Sequence, residues 1–228
     1  MLPRQEVVDG LRQELEDFAE LVRSLDATEW ARPSRCEGWT VADVAGHLVG
    51  AFADITSGRI EGQGTAEVSA RQAAERRGRT TGEVADELDE VRQLTEKMLA
   101  SFDDAVWTGP ARGGFDMTVG QAMEFLWCGT YVHADDIRAA IGRPSERGPG
   151  LRASVDLVAD LLTKRSWGPA LLALDGLDEV LVGTSDGPSG EHRITGDPLA
   201  FVLVATGRAD PAPSGLDATV NVFAEGSV

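Results

Sequence analysis

TVADVAGHLVG, residues 40–50, reads as the opening of a helix with a histidine on its flank. Val41, Val44, Ala45, Leu48, Val49 and Phe52 recur at the spacing that lines one side of a helix with apolar groups, and His47 borders that stripe. Thr40 with Asp43 three residues on makes a start of capping-box type, a short acid standing where Glu is usual. Asp43 also lies four residues before His47 on the same face, so a role beside the imidazole stays open next to its capping role. A second histidine, His133, stands in GTYVHADDIR, residues 129–138, with Trp127, Val132 and Ile137 nearby. Helical bundles build metal sites this way, from side chains projecting inward off different helices. Each histidine taken alone reads equally as a hydrogen-bonded core residue. The chain holds three histidines, however, and two lie on apolar-rich helices, where a buried ring needs a partner for each nitrogen.

Working outward, the first helix is predicted from Arg4 to Ser24, with Val7, Val8, Leu11, Leu15, Phe18, Ala19 and Val22 on one stripe. A breaker-rich loop, Pro33 to Trp39, separates it from the His47 helix. Residues 57–81 are rich in Gly, Arg and Glu and read as a mobile connection with a short helix around Val68 to Arg77. A third long helix follows from Thr81 to Phe102, then a punctuated loop from Thr108 to Asp116. The fourth runs from Thr118 to Gly142, which Pro144 helps to stop. Four long helices with one long crossover predict a bundle over residues 1–143.

After the linker Arg143 to Gly150 the texture changes. A helix from Leu151 to Thr163, short strands in ALLAL and EVLVG, the apolar helix LAFVLVATG and a closing strand ATVNVF predict a small α+β domain over residues 150–228. The fold class is therefore α+β with two domains.

Composition narrows function. At 228 residues and 42% hydrophobic content the chain can bury a sizeable core. A net charge of −17 with no basic patch argues against partners that require phosphate neutralisation, so neither nucleic acid nor anionic membrane is expected. The opening MLPRQEVVDGLRQELEDF alternates charge with apolar residues, unlike a signal peptide or a membrane span, and the expected location is cytoplasmic. Cys36 and Cys128 lack CxxC spacing and form no disulfide framework. Cys36, in a Trp-rich loop, reads as a small apolar filler. Trp30, Trp39, Trp127 and Trp167 read as anchors for loops, and His192 as a solvated turn residue.

The segments CEGWTVADVAGHLVG, YVHADDIR and TGDPLAFVLVATGRADPAPSGLD together resemble the mycothiol-dependent maleylpyruvate isomerase family of high-GC Gram-positive bacteria. Nineteen arginines against two lysines agree with such a genome. The resemblance implies an N-terminal DinB-like four-helix bundle that binds a divalent metal, usually zinc, and a smaller C-terminal sterol-carrier-like α+β domain. It further implies a small electrophilic substrate, with carboxylates among the candidates, and mycothiol as the thiol partner. The metal is held in the family by a histidine on the second helix and by a carboxylate and a histidine four apart on the last. The resemblance places the histidines on His47 and His133, and it places the functional arginine of the second domain's GR dipeptide on Arg208.

The carboxylate position falls on Gly129, which has no ligand atom. Glu124 is about 180° around the helix from His133 and Cys128 about 140°, so both are poorly placed to fill it. Asp136, about 60° away, shares the face of His133 and is expected to ligate the metal or to hold the imidazole from behind. The alternative to a metal-assisted isomerase or thiol transferase is a metal-free, catalytically silent binding or regulatory protein on the same scaffold.

Overall fold

In a computed structural model the chain is described over residues 2–113, 116–183 and 193–223. It divides into two compact units, one from Pro3 to Glu146 and one from Arg147 onward with Leu2. His192 and the middle of the loop after Thr108, residues 114 and 115, lie outside the described residues.

The first unit is helical. Its elements are α1 (Arg4–Arg23), α2 (Ala27–Trp30), α3 (Val41–Thr56), α4 (Ala66–Ala74), α5 (Thr81–Ser101), α6 (Asp104–Thr108) and α7 (Val119–Ile141). The long helices α1, α3, α5 and α7 form the bundle, with α1 and α3 each packing on both α5 and α7. Their ends follow local chemistry. Thr40, Thr80 and Thr118 each open a helix with a reciprocal capping box, and Gly142 closes α7 in the left-handed conformation that a glycine adopts without strain. The buried interior follows the predicted stripes, Val7, Leu11, Leu15 and Phe18 of α1 and Val44, Val49 and Phe52 of α3, and is completed by Val84 and Leu88 of α5 and by Ile137 and Trp127 of α7, the last a core residue and not the loop anchor expected.

The segment expected as a mobile connection is a packed part of the unit. Its helix α4 lies along α3 and buries Gln72 and Ala73, and Arg76 is buried just beyond its end. Two glycines of α3 permit this. A Cβ on Gly50 would stand 2.6 Å from the Cβ of Gln72, and one on Gly46 would stand 3.1 Å from the Cβ of Arg76. The short polar run of α4 gives little periodic signal, because it is stabilised by this close approach and not by a wide apolar face.

The second unit joins α8 (Pro149–Lys164) and α9 (Pro198–Ala205) to a three-stranded sheet of β1 (Ala170–Leu174), β2 (Val180–Val182) and β3 (Arg193–Gly196). The strand order is β2-β1-β3, with β2 antiparallel and β3 parallel to β1. Alternation along β1 buries Ala170, Leu172 and Leu174. Asp197 opens α9 by accepting from the Leu199 N–H, and Arg147 grips the same carboxylate with both terminal nitrogens at 2.6 and 2.8 Å. The closing strand expected in ATVNVF does not form. Asp217 accepts from the Thr219 N–H and nucleates a 3-10 turn, Ala218–Val220, while Val220 and Val222 are buried and the Val222 N–H donates to the Ala205 carbonyl. Alternate burial thus survives without a ladder. Among the described residues, no helix is long and apolar enough to cross a membrane.

Candidate metal centre

His47 projects from the middle of α3 toward α4, where its Nδ1 lies 2.9 Å from Gln72 Oε1. The direction of this hydrogen bond follows from what stands behind Gln72. Its Nε2 donates to Asp54 Oδ2 at 2.8 Å and to Gln63 Oε1 at 3.1 Å. A carboxylate only accepts, so the amide nitrogen must face Asp54 and the amide oxygen must face the histidine. Burial opposes ionisation of Asp54, but hydrogen bonds from Gln72, Arg71 and Gln63 and the charge of Arg59 prevail and hold its carboxyl below the usual range. His47 therefore carries its proton on Nδ1, and in the neutral ring Nε2 carries the lone pair.

His133 obtains the same tautomer by a different route. Its Nδ1 lies 3.0 Å from Oδ2 of Asp136, one turn further along α7. Asp136 is completely buried. Its Oδ1 accepts from Arg35 Nε at 2.6 Å, and its Oδ2 also accepts from the Cys36 thiol at 3.3 Å. Arg35 reaches Asp135 as well, at 2.5 Å. Burial works against the guanidinium charge, but the two aspartates outweigh it and raise the Arg35 pKa above its ordinary value. The loop before α3 is thereby tied to α7 by an arginine fork.

The two rings face each other edge to face, with centres 5.2 Å apart and planes at 81°. Two imidazoles bound through nitrogen at about 2 Å from one tetrahedral ion would have their centres about 5 Å apart, so this separation suits a shared ion. With both Nδ1 atoms committed to oxygen acceptors, the ligating atoms would be the Nε2 pair, the usual division of labour at histidine metal sites. Trp39 packs its ring 5.1 Å from that of His47. Cys36 Sγ, a ring nitrogen of His133 and a carboxylate oxygen of Asp136 all lie within 4.8 Å of one another. At Gly129 a Cβ would meet nothing within 4 Å, so this position borders open space. The donor set thus fits a divalent ion at two histidines and offers further donors beside His133.

Asp43 serves as a cap, with Oδ2 accepting from the Thr40 N–H and hydroxyl and Oδ1 from Arg77. Arg208 belongs to the other unit, just after α9, where it donates to the Thr206 carbonyl at 3.1 Å. Gln72, Asp54, Arg35, Asp135 and Cys36 carry no sequence pattern that singles them out.

Residues 11–138 match the family described as the mycothiol maleylpyruvate isomerase N-terminal domain, more than half of the chain. The protein belongs to this family. Among its relatives are two uncharacterised proteins from strains of Mycobacterium tuberculosis, each 30% identical over 226 residues, covering 88% of this chain and 84% of their own length. The crystal structure of the mycothiol-dependent maleylpyruvate isomerase, and that of a histidine-to-alanine variant of it, superpose with a TM-score of 0.65 at 15% identity. They cover 91% of this chain and 90% of theirs, and the likeness establishes a shared α+β fold.

Proposed function

We propose that this protein is a metal-assisted enzyme that uses a low-molecular-weight thiol, mycothiol by family, to isomerise or conjugate a small electrophile. The observation that carries this reading is the facing pair His47 and His133, each with Nδ1 held by an acceptor and with ring centres 5.2 Å apart. Zinc bound there would lower the pKa of a coordinated thiol and so make its sulfur a nucleophile near neutral pH. The chain's own residues do the rest. Gln72 and Asp136 hold the rings in register, Arg35 holds Asp136, and Trp39 packs its ring beside that of His47. Arg208 is assigned the pairing with a substrate carboxylate or with developing negative charge. Removing it by Arg208→Ala is expected to weaken binding of a small carboxylate electrophile by about 2–3 kcal/mol in calorimetric titration. The cytoplasm is the proposed location.

A second reading, a metal-free binding protein, draws on Gly129 and its open surroundings. Metal analysis of protein purified without chelator separates the two. Stoichiometric zinc that is lost in His47→Ala and His133→Ala supports the enzyme. Absence of divalent metal, with no uptake of added zinc, supports the silent scaffold.

A further inference from the structure

We propose that Trp39 is a ligand-binding residue of this centre, its indole N–H donating to an oxygen of the small molecule held at His47 and His133. This deepens the reading above and rests on the histidine pair as a ligand site, with metal or without it. Trp39 stands 5.1 Å from His47, ring centre to ring centre, with the planes at 60°. His47 in turn faces His133 at 5.2 Å, so a molecule of a few heavy atoms bound at the pair is long enough to meet the indole. Trp30, Trp127 and Trp167 are fixtures of the fold. Each spends its N–H on a protein acceptor, the Arg79 carbonyl at 3.1 Å, the Glu14 carboxylate at 3.2 Å and the Thr219 hydroxyl at 3.0 Å. Trp39 does not. It is half-buried, yet its N–H meets no acceptor among the described residues. An indole N–H can only donate, and an indole drawn into the protein ordinarily finds a partner for it.

The loop holds this donor in place before any ligand arrives. The Trp39 backbone N–H donates to the Cys36 carbonyl at 3.0 Å, and its carbonyl accepts from the Ser34 N–H at 2.8 Å and the Ser34 hydroxyl at 2.9 Å. Arg35, forked across Asp135 and Asp136, ties the same loop to α7. Little ordering is therefore left for binding to impose. The acceptor that fits is a carboxylate or amide oxygen, on the electrophile or on the thiol cofactor. A ligand without that oxygen leaves the donor unanswered, which makes Trp39 a determinant of specificity as well as affinity.

The test follows the indole N–H signals of the isotope-labelled full chain by proton–nitrogen correlation, with Trp39 assigned through its through-space contact to the His47 ring. Mycothiol and acetate are the two probes, titrated separately with and without zinc. The expected result is a downfield displacement of the Trp39 indole proton by at least one probe while the signals of Trp30, Trp127 and Trp167 stay in place. The probe that causes it identifies which molecule carries the oxygen. Trp39→Phe keeps a ring against His47 and removes the donor. It should take up zinc as the unaltered chain does, and should bind the effective probe about tenfold more weakly for an amide acceptor and up to about a hundredfold more weakly for a carboxylate. Displacement in a chain that takes up no zinc removes the metal reading and leaves this inference standing. Zinc uptake with no displacement by either probe, or equal probe affinity in Trp39→Phe, overturns this inference and leaves the metal reading standing. Neither zinc uptake nor displacement overturns both.

Discussion

The two arms of the candidate centre orient the same kind of ring by opposite means. His47 rests on a neutral amide whose direction is set one step away by Asp54, whereas His133 rests directly on a buried carboxylate that also serves Arg35 and Cys36. The first arm fixes a tautomer with little charge at the ring. The second fixes the tautomer and also binds a helix, a loop and a thiol into one ionic cluster. A shared result thus carries different dependencies, and substitution should expose them.

The largest difference is expected on removing charge from the second arm. Asp136→Asn should destabilise the fold by about 3 kcal/mol, because Arg35 and the His133 N–H lose a buried anion together. On the first arm, Gln72→Leu should cost about 1–2 kcal/mol, the desolvation of one unsatisfied ring N–H with Asp54 still held by arginines. Urea unfolding of both variants checks the order, and equal losses would erase the distinction between the arms.

Next comes the packing that brings the first arm together. Gly50→Ala should cost about 1–3 kcal/mol, since its Cβ would stand 2.6 Å from that of Gln72 and α4 would have to move. The change should weaken metal binding along with stability. Intact metal affinity alongside a lower midpoint would show that Gln72 can follow α4 without losing His47.

A carboxyl outside both arms sharpens the lesson about support. Glu14 accepts from Trp127 Nε1 at 3.2 Å, yet burial, with Asp17 nearby, pushes its pKa from 4.5 up to about 7. Here the folded chain retains a proton that the unfolded chain releases, the reverse of Asp54. The associated stability is present below about pH 4.5 and is lost as pH rises through about 7. Glu14→Gln should remove this slope, worth about 2 kcal/mol or less given partial exposure of the side chain. A slope between pH 5 and 7.5 that is unchanged in the variant would assign it to another group.

Smallest is the effect of filling position 129. Gly129→Ala should stabilise the bundle by about 0.5–1 kcal/mol, the ordinary gain on replacing a mid-helix glycine where the new methyl meets nothing. A thermal midpoint lower than that of the unaltered chain would show that the space is not open.

Much of this was legible in the sequence, and the parts that were not share a cause. The long amphipathic stripes and the Thr-initiated caps specify the bundle locally, so α1, α3, α5 and α7 could be placed within a residue or two. His47, His133 and the same-face position of Asp136 follow from helical spacing. The second layer does not. Gln72 reaches His47 only because Gly46 and Gly50 admit α4, and Arg35 reaches α7 only through the path of an irregular loop. Cys36 reads as a filler until that path is known. In the second unit, β3 is four residues long and exists by pairing with β1, while the alternation of ATVNVF reports burial and not a ladder.

The open ground around Gly129 has a consequence for how such a protein changes over generations. Because a Cβ there would meet nothing within 4 Å, the residue at 129 answers to folding chiefly through its helix propensity, a fraction of a kcal/mol to about 1 kcal/mol, and beyond that to selection for chemistry. A carboxylate can be lost or regained at this one codon without repair elsewhere. Lineages built on this scaffold are therefore free to exchange one donor set for another in single steps, at constant fold.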